Sequence, residues 1–301
     1  MTNGNDSPKH ALITGGTDGI GKEIARRLAL LGVQILIVGR DLAKGKRAEL
    51  ELRESSGNRN VDFFPADLSL IREAQRVASE VRRRFSTLHY LVHSAGLVRG
   101  HHQLTEEGVE SNFAINYLSR FALTNSLLPL LQYSGYPGEA ARILIVSGAD
   151  QHGKIYFDDV NLTSNFNVIR MLRQVCHAND VFTLELARRL ATQGQPRVTV
   201  TNLKVGVVKT NTRNRPDFPW FMKLIAPLVD PFIALTVEEA AAPALRLLRA
   251  EEFEGVSGAL FLLINKFKQI VALPSVKDPR VSKRLWELSE AKAGQPVEVY
   301  Q

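Results

Sequence analysis

The chain has 301 residues, 45% of them apolar, enough for one large buried core in an ordinary α/β domain. Its formal net charge is +7, but the basic residues are scattered in pairs such as Arg26-Arg27 and Arg188-Arg189 on amphipathic patterns. No aromatics interleave with them, so no nucleic-acid partner is expected. The single cysteine, Cys176, excludes an intramolecular disulfide.

No apolar run reaches the ~18 residues that a membrane span needs, and polar Met1–Lys9 does not read as a signal or transit helix. A cytoplasmic protein is expected. Neither a linker nor a repeat divides residues 1–301, so one domain is expected, with self-association left open.

Apolar strand-like runs alternate with amphipathic stretches. His10–Thr14 reads as a first buried strand and residues 19–31 as the helix after it. Residues 33–38 form a second strand and 42–54 a helix. Residues 61–64 are a strand, 70–85 a helix, and 88–92 a fourth strand. A long helical pattern covers 107–131. Strand 143–146, helix 171–190, strands 198–203 and 259–263, and a last helix at about 280–292 complete the order. Near-continuous apolar strands separated by helices call for a parallel sheet covered on both faces. Right-handed crossovers then make it a Rossmann-type, doubly wound α/β fold of about seven strands. Its ligand belongs at the carboxyl ends of the strands.

The first turn reads Thr14-Gly15-Gly16-Thr17-Asp18-Gly19-Ile20-Gly21. Glycines 15, 19 and 21 leave room for a pyrophosphate against the backbone, at a helix N-terminus with free N–H groups. The second strand ends Val38-Gly39-Arg40-Asp41. A basic residue there tolerates a 2′-phosphate, so NADP(H) is favoured over NAD(H), unless Arg40 is a solvated partner of Asp41. Asp67, with Leu68 and Ser69 after the third strand, reads as an adenine contact or as a cap paired with Ser69.

Thr14-Gly-x-x-x-Gly-x-Gly21 resembles the cofactor motif of short-chain dehydrogenases/reductases, and Leu91-Val92-His93-Ser94-Ala95-Gly96 is similar to the segment after their fourth strand. Leu104–Gly108, Phe113–Leu118, Phe182–Ala187 and Arg284–Ser289 resemble the retinol-dehydrogenase-like branch, so the match covers almost the whole chain. The resemblance implies that Ser94, Ala95 and Gly96 line the cofactor. It implies that Asn116 is the active-site asparagine, in a kinked helix. It also places Val207 and Thr210, after Gly206, at the nicotinamide. The family's proline before that glycine is Val205 here, implying a looser turn.

The resemblance also implies a serine at the end of strand five and a Tyr-x-x-x-Lys pair on the next helix. The lysine's charge, one turn away, lowers the tyrosine's pKa so that it can supply a proton. Counting back from Phe182–Leu190 puts Leu172 at the tyrosine position and Cys176 at the lysine position. None of Tyr90, Tyr117, Tyr133, Tyr136, Tyr156 and Tyr300 has a lysine four residues on. Strand five ends Val146-Ser147-Gly148-Ala149-Asp150, with one serine where the family commonly has two, so the role of Ser147 is open. Candidate catalytic groups are therefore Ser147, Asn116, His152 and Tyr156, with Asp150 nearby. Adjacent residues on a helix diverge by ~100°, which argues against a Cys176–His177 dyad. His101-His102 lack partners at metal-ligand spacing, and no metal is expected.

Phe218–Ile233 is apolar and broken by prolines. Within the expected substrate-lid region, about 210–235, it reads as a lid over an apolar small-molecule substrate, as core, or as a membrane or oligomer contact. Three functions stay open: an atypical or non-redox enzyme (cyclisation, elimination or isomerisation), an NADP(H)-dependent oxidoreductase with a non-standard proton donor, and an inactive NADP(H)-binding scaffold or regulator.

Overall fold

The computed structural model describes residues 8–136, 138–191, 197–210, 216–224 and 234–294. Strands β1 (His10–Thr14), β2 (Gln34–Gly39), β3 (Val61–Pro65), β4 (Tyr90–His93), β5 (Ala141–Gly148), β6 (Val198–Val205), β7 (Ala259–Leu263) and β8 (Phe267–Ile270) form one sheet in the order β3-β2-β1-β4-β5-β6-β7-β8. All pairs are parallel except β7–β8, which is antiparallel. Seven of these strands are legible in the sequence, most of them as apolar runs. β8 (Phe-Lys-Gln-Ile) is not, because an edge strand buries only one side; Phe267 holds it by stacking on Phe261 at 5.3 Å between centroids.

Helices cover both faces. α1 (Gly19–Ala29), α2 (Leu42–Ser56) and α7 (Val237–Arg249) pack on one; α3 (Ile71–Arg84), α5 (Ser119–Ser134), α6 (Val168–Ala191) and α9 (Pro279–Ala293) pack on the other. The strands alternate between these two cores. Leu12 faces the second and Ile13 the first, both fully buried, and each such side chain is worth about 1.5–3 kcal/mol. Short helices α4 (Ser111–Phe113) and α8 (Pro274–Lys277) lead into α5 and α9.

The long helix expected from residue 107 begins only at Ser111. Glu107 instead reaches back to the start of α3, where its carboxylate accepts from the backbone N–H groups of Ile71 (2.5 Å) and Arg72 (3.1 Å). That gives α3 the N-terminal cap its own Leu70 lacks. Between α4 and α5 runs one π-helical stretch, Ala114–Leu118, which contains Asn116. No helix among the described residues is long and apolar enough to cross a membrane.

Candidate functional site

The strand order reverses between β1 and β4, and a cleft of about 740 Å³ opens there at the carboxyl ends of the strands. The turns after β1 to β4 supply most of its wall: Gly15 and Thr17–Ile20, Gly39–Asp41, Ala66–Leu68 and Ser94–Gly96. Val146 on β5 and Ile115 in the π-helical stretch line it too.

The glycines there have no space for a side chain. Gly15 has φ +68°, and a Cβ on it would lie 2.7 Å from the Ala95 nitrogen; one on Gly21 would lie 2.5 Å from the Gly15 carbonyl oxygen. Thr14 joins the two halves of the sheet, its hydroxyl oxygen accepting from the N–H groups of Ser94 and Ala95, both at 3.2 Å. Asp18 caps α1 through the Gly19 N–H at 2.8 Å. The result is a backbone cradle open to a diphosphate at a helix N-terminus, so the residues present fit a dinucleotide.

At the far end Arg40 is 54% exposed and pairs with Asp67 at 3.6 Å, not with Asp41, which caps α2 through Lys44 N at 2.8 Å. Asp67 also accepts from the Ser69 N–H and hydroxyl at 3.0 and 2.7 Å. Lys44, in the first turn of α2, lines the same end and pairs with Asp18. Sequence reading missed it, although a lysine one turn after Arg40 is the signal to look for. It also missed Arg99 and Asp217, which line the cleft 3.2 Å apart; their partnership spans more than a hundred residues.

At the other end Asn116 is held on both sides. Its amide donates to the Leu97 and Asn112 carbonyls, both at 2.8 Å, and its oxygen accepts from Leu97 N at 3.2 Å. Arg120 lies buried beneath, donating to the Ala95 carbonyl at 2.9 Å and Asn179 Oδ1 at 3.3 Å. Burial lowers its pKa to about 10.

The turn after β6 is not loose in the way Val205 implies. Val205 continues the ladder opposite Leu263; Gly206 N donates to Leu263 O at 2.8 Å and Leu235 N to Val207 O at 2.9 Å. Thr210 lines the cleft, 3.1 Å from where a Gly19 Cβ would stand. Of the expected lid, residues 211–215 and 225–233 lie outside the described residues. Of the rest, Pro216 and Asp217 reach the cleft, whereas Trp220 and Leu224 are 75% and 68% exposed.

The candidate catalytic groups each make contacts of their own. The His152 side chain is 83% exposed and lies 3.8 Å from Asp150, which Arg173 of α6 holds at 3.0 Å. Tyr156 is half-buried, its ring flanked by the cations of Lys154 and Arg170 at 4.9 and 5.4 Å. Ser147, half-buried at the end of β5, donates to Asn202 Oδ1 at 2.8 Å. A Cβ on Gly148 would lie 3.1 Å from Cys176 Sγ, so Cys176 stands directly behind the tip of β5. Burial pushes its thiol pKa up. His177 turns instead to the Gly153 loop, and burial beside the Lys204 charge lowers its pKa to about 4.

Behind Ser147 lies a buried polar line the sequence does not announce. Lys204 on β6, with no exposed side-chain surface, donates to both oxygens of Asp180 on α6, at 2.7 and 2.9 Å. The Asn202 amide donates to Asp180 Oδ1 at 2.9 Å. Burial raises the Asp180 pKa and the Lys204 ammonium opposes it. Among the described residues no group of three or more His, Cys, Asp and Glu side chains could hold a metal ion.

Sheet order, glycine cradle and cleft define a doubly wound, dinucleotide-binding type of α/β protein. The short chain dehydrogenase family model matches residues 9–157. Human retinol dehydrogenase 14 is 33% identical over 300 residues, covering 95% of this chain and 86% of its own. Human polyprenol dehydrogenase is 31% identical over 280 residues, covering 93% and 83%. The chain belongs to the short-chain dehydrogenase/reductase superfamily, in its retinol-dehydrogenase-like branch. Solved structures share the fold: a Mycobacterium paratuberculosis protein has a TM-score of 0.74 at 23% identity, covering 98% of both chains. The RhlG/NADP active-site complex of Pseudomonas aeruginosa has 0.68 at 23% identity, covering 86% of this chain and 96% of that one.

Proposed function

We propose that this chain binds NADP(H) in the cleft and an apolar, isoprenoid-like small molecule beside it, and that it is an atypical member of its superfamily, not an ordinary carbonyl reductase. The observation that carries this reading is the pairing of an intact cradle with an emptied acid site. By the count back from Phe182–Leu190, Leu172 and Cys176 take the tyrosine and lysine positions that the resemblance implies, and the tip of β5 carries one serine, Ser147, followed by Gly148, whose Cβ position is 3.1 Å from Cys176 Sγ. Neither Leu172 nor Cys176 is a proton donor with a lowered pKa near neutrality.

The cradle of Gly15, Gly19 and Gly21 would hold the diphosphate, Arg40 and Lys44 a 2′-phosphate, and Ala95, Gly96 and Thr210 the nicotinamide half. Bound NADP(H) supplies a hydride donor or acceptor, or a fixed charge beside the substrate. Asn116 is locked by three hydrogen bonds to Leu97 and Asn112 and stiffens the wall beside that half. Without the acid, proton transfer falls to substrate, water or Ser147. A cyclisation, elimination or isomerisation suits such a site better than reduction. The names of the relatives, retinol and polyprenol dehydrogenases, support an apolar alcohol or its oxidised form as the ligand, and they favour slow oxidoreduction as the second reading.

Two measurements test the proposal. NADPH titration, followed by fluorescence, should saturate. Steady-state reduction of farnesal should be far below the ~1 s⁻¹ at which ordinary enzymes begin. The triple variant Gly148→Ser, Leu172→Tyr, Cys176→Lys should raise that rate about 10²–10⁴-fold, the contribution of general acid catalysis. Wild-type reduction at ~1 s⁻¹ or faster would overturn the reading.

A further inference from the structure

We infer that Arg120, a buried cation without a counter-charge, sets which redox form of the cofactor the cleft holds, favouring NADPH over NADP⁺. This deepens the proposed reading and rests on it, since it takes NADP(H) as the occupant, with its nicotinamide half beside Ala95 and Gly96.

Among the described residues, every cation that lines the cleft has a carboxylate partner: Arg40 has Asp67, Lys44 has Asp18 and Arg99 has Asp217. Buried Lys204 is balanced by Asp180. Arg120 is different. It is 4% exposed and donates to two neutral oxygens, the Ala95 carbonyl at 2.9 Å and Asn179 Oδ1 at 3.3 Å. Its Nε is buried with no partner. Cys176 would balance the charge as a thiolate, but burial pushes that thiol pKa up and keeps it neutral. The guanidinium itself stays protonated at neutral pH, even with its pKa lowered to about 10. Its field reaches the end of β4: burial, and after it the Arg120 charge, hold the His93 ring well below its ordinary pKa.

This charge lies under the floor of the cleft. A Cβ on Gly96 would be 3.9 Å from Arg120 Nη2, and Ala95 and Gly96 both line the cleft. A ligand cannot touch the sealed guanidinium, so its charge acts through the protein, which screens it far less than water does. NADPH and NADP⁺ share their diphosphate, ribose and 2′-phosphate groups. They differ at the nicotinamide ring, neutral in the first and positive in the second. The cradle, Arg40 and Lys44 therefore treat both alike, whereas repulsion from Arg120 falls on the oxidised ring alone. A guanidinium that only tied Ala95 to Asn179 would serve both complexes equally.

The test is the dissociation constant of NADPH and of NADP⁺, each measured by calorimetry on the same preparation. NADPH should bind about tenfold more tightly, the order expected for like charges within one partly buried site. Raising salt from about 0.05 to about 0.5 M should weaken both and leave their ratio, because a buried charge is screened much less than exposed Arg40 and Lys44. Arg120→Gln, which keeps an N–H donor for the Ala95 carbonyl and loses the charge, should cut the ratio about tenfold. Arg120→Lys, which keeps the charge, should retain it. Equal affinities in the wild type, a ratio that collapses in salt, a ratio unchanged in Arg120→Gln or one lost in Arg120→Lys would overturn the inference. If Arg120→Gln does not fold, the wild-type ratio and its salt dependence decide. Binding of neither form by the wild type would overturn the NADP(H) reading itself.

Discussion

Removing the Lys204 charge should be among the most destabilising single changes in the protein. In Lys204→Met the stem is replaced by an apolar chain of similar length, but Asp180, whose side chain is 6% exposed, loses both hydrogen bonds from the ammonium. Only the Asn202 amide remains. Breaking a buried pair this way costs about 3–5 kcal/mol, because the survivor keeps its desolvation penalty without its partner. Against a total stability of about 5–15 kcal/mol this is a large share. The melting temperature should fall by about 6–10 °C, taking roughly 2 °C per kcal/mol for a large domain. Urea unfolding followed by circular dichroism measures it. The double variant Lys204→Met, Asp180→Leu should return to within about 1–2 kcal/mol of wild type, since no uncompensated charge is left.

The deficit of the single variant should also depend on pH. Without the ammonium, burial holds the Asp180 pKa further above its unfolded value of about 3.9. The folded variant then binds a proton that the unfolded chain does not. Its deficit relative to wild type should shrink as pH falls through the raised pKa toward 4. A single variant within about 1 kcal/mol of wild type at pH 7, or a double variant less stable than the single, would refute the reasoning.

Two further outcomes are expected. Arg40→Glu should weaken NADPH binding by about 10–100-fold, the value of a charge-assisted hydrogen bond to the 2′-phosphate, and leave NADH nearly unchanged; equal effects on both cofactors in a fluorescence titration would remove Arg40 from the 2′ site. His177 is 3% exposed, with its pKa lowered from 6.5 to about 4, so the unfolded chain takes up a proton there first and stability is lost as pH falls from 6.5 toward 4. By pH 5 the loss from this residue is about 2 kcal/mol, and His177→Phe should flatten the stability profile across that window; an unchanged slope would show that the ring is protonated in the fold.

Much of the fold is local and so was legible. Buried parallel strands are mostly apolar, and seven of the eight strands were legible, although β6 also buries Thr199, Thr201, Asn202 and Lys204. The glycine cradle was legible for the same reason: Gly15, Gly19 and Gly21 lie within seven residues of one another and serve one turn. Element ends were less so. Glu107 reads as helix, yet its carboxylate caps α3 from 36 residues away.

What sequence alone determined was the succession of buried strands and helices along the chain, the cradle, the basic tip at Arg40, and the residue types at positions 148, 172 and 176. Only the tertiary structure decided which polar groups meet. Arg40 pairs with Asp67 and not with its neighbour Asp41. His152 faces solvent, while Ser147 connects through Asn202 to a buried charge pair whose members are 24 residues apart. A buried ion has no periodicity to betray it. It is tolerated only where the chain, once folded, brings its counter-charge within hydrogen-bonding distance, and that is a property of packing.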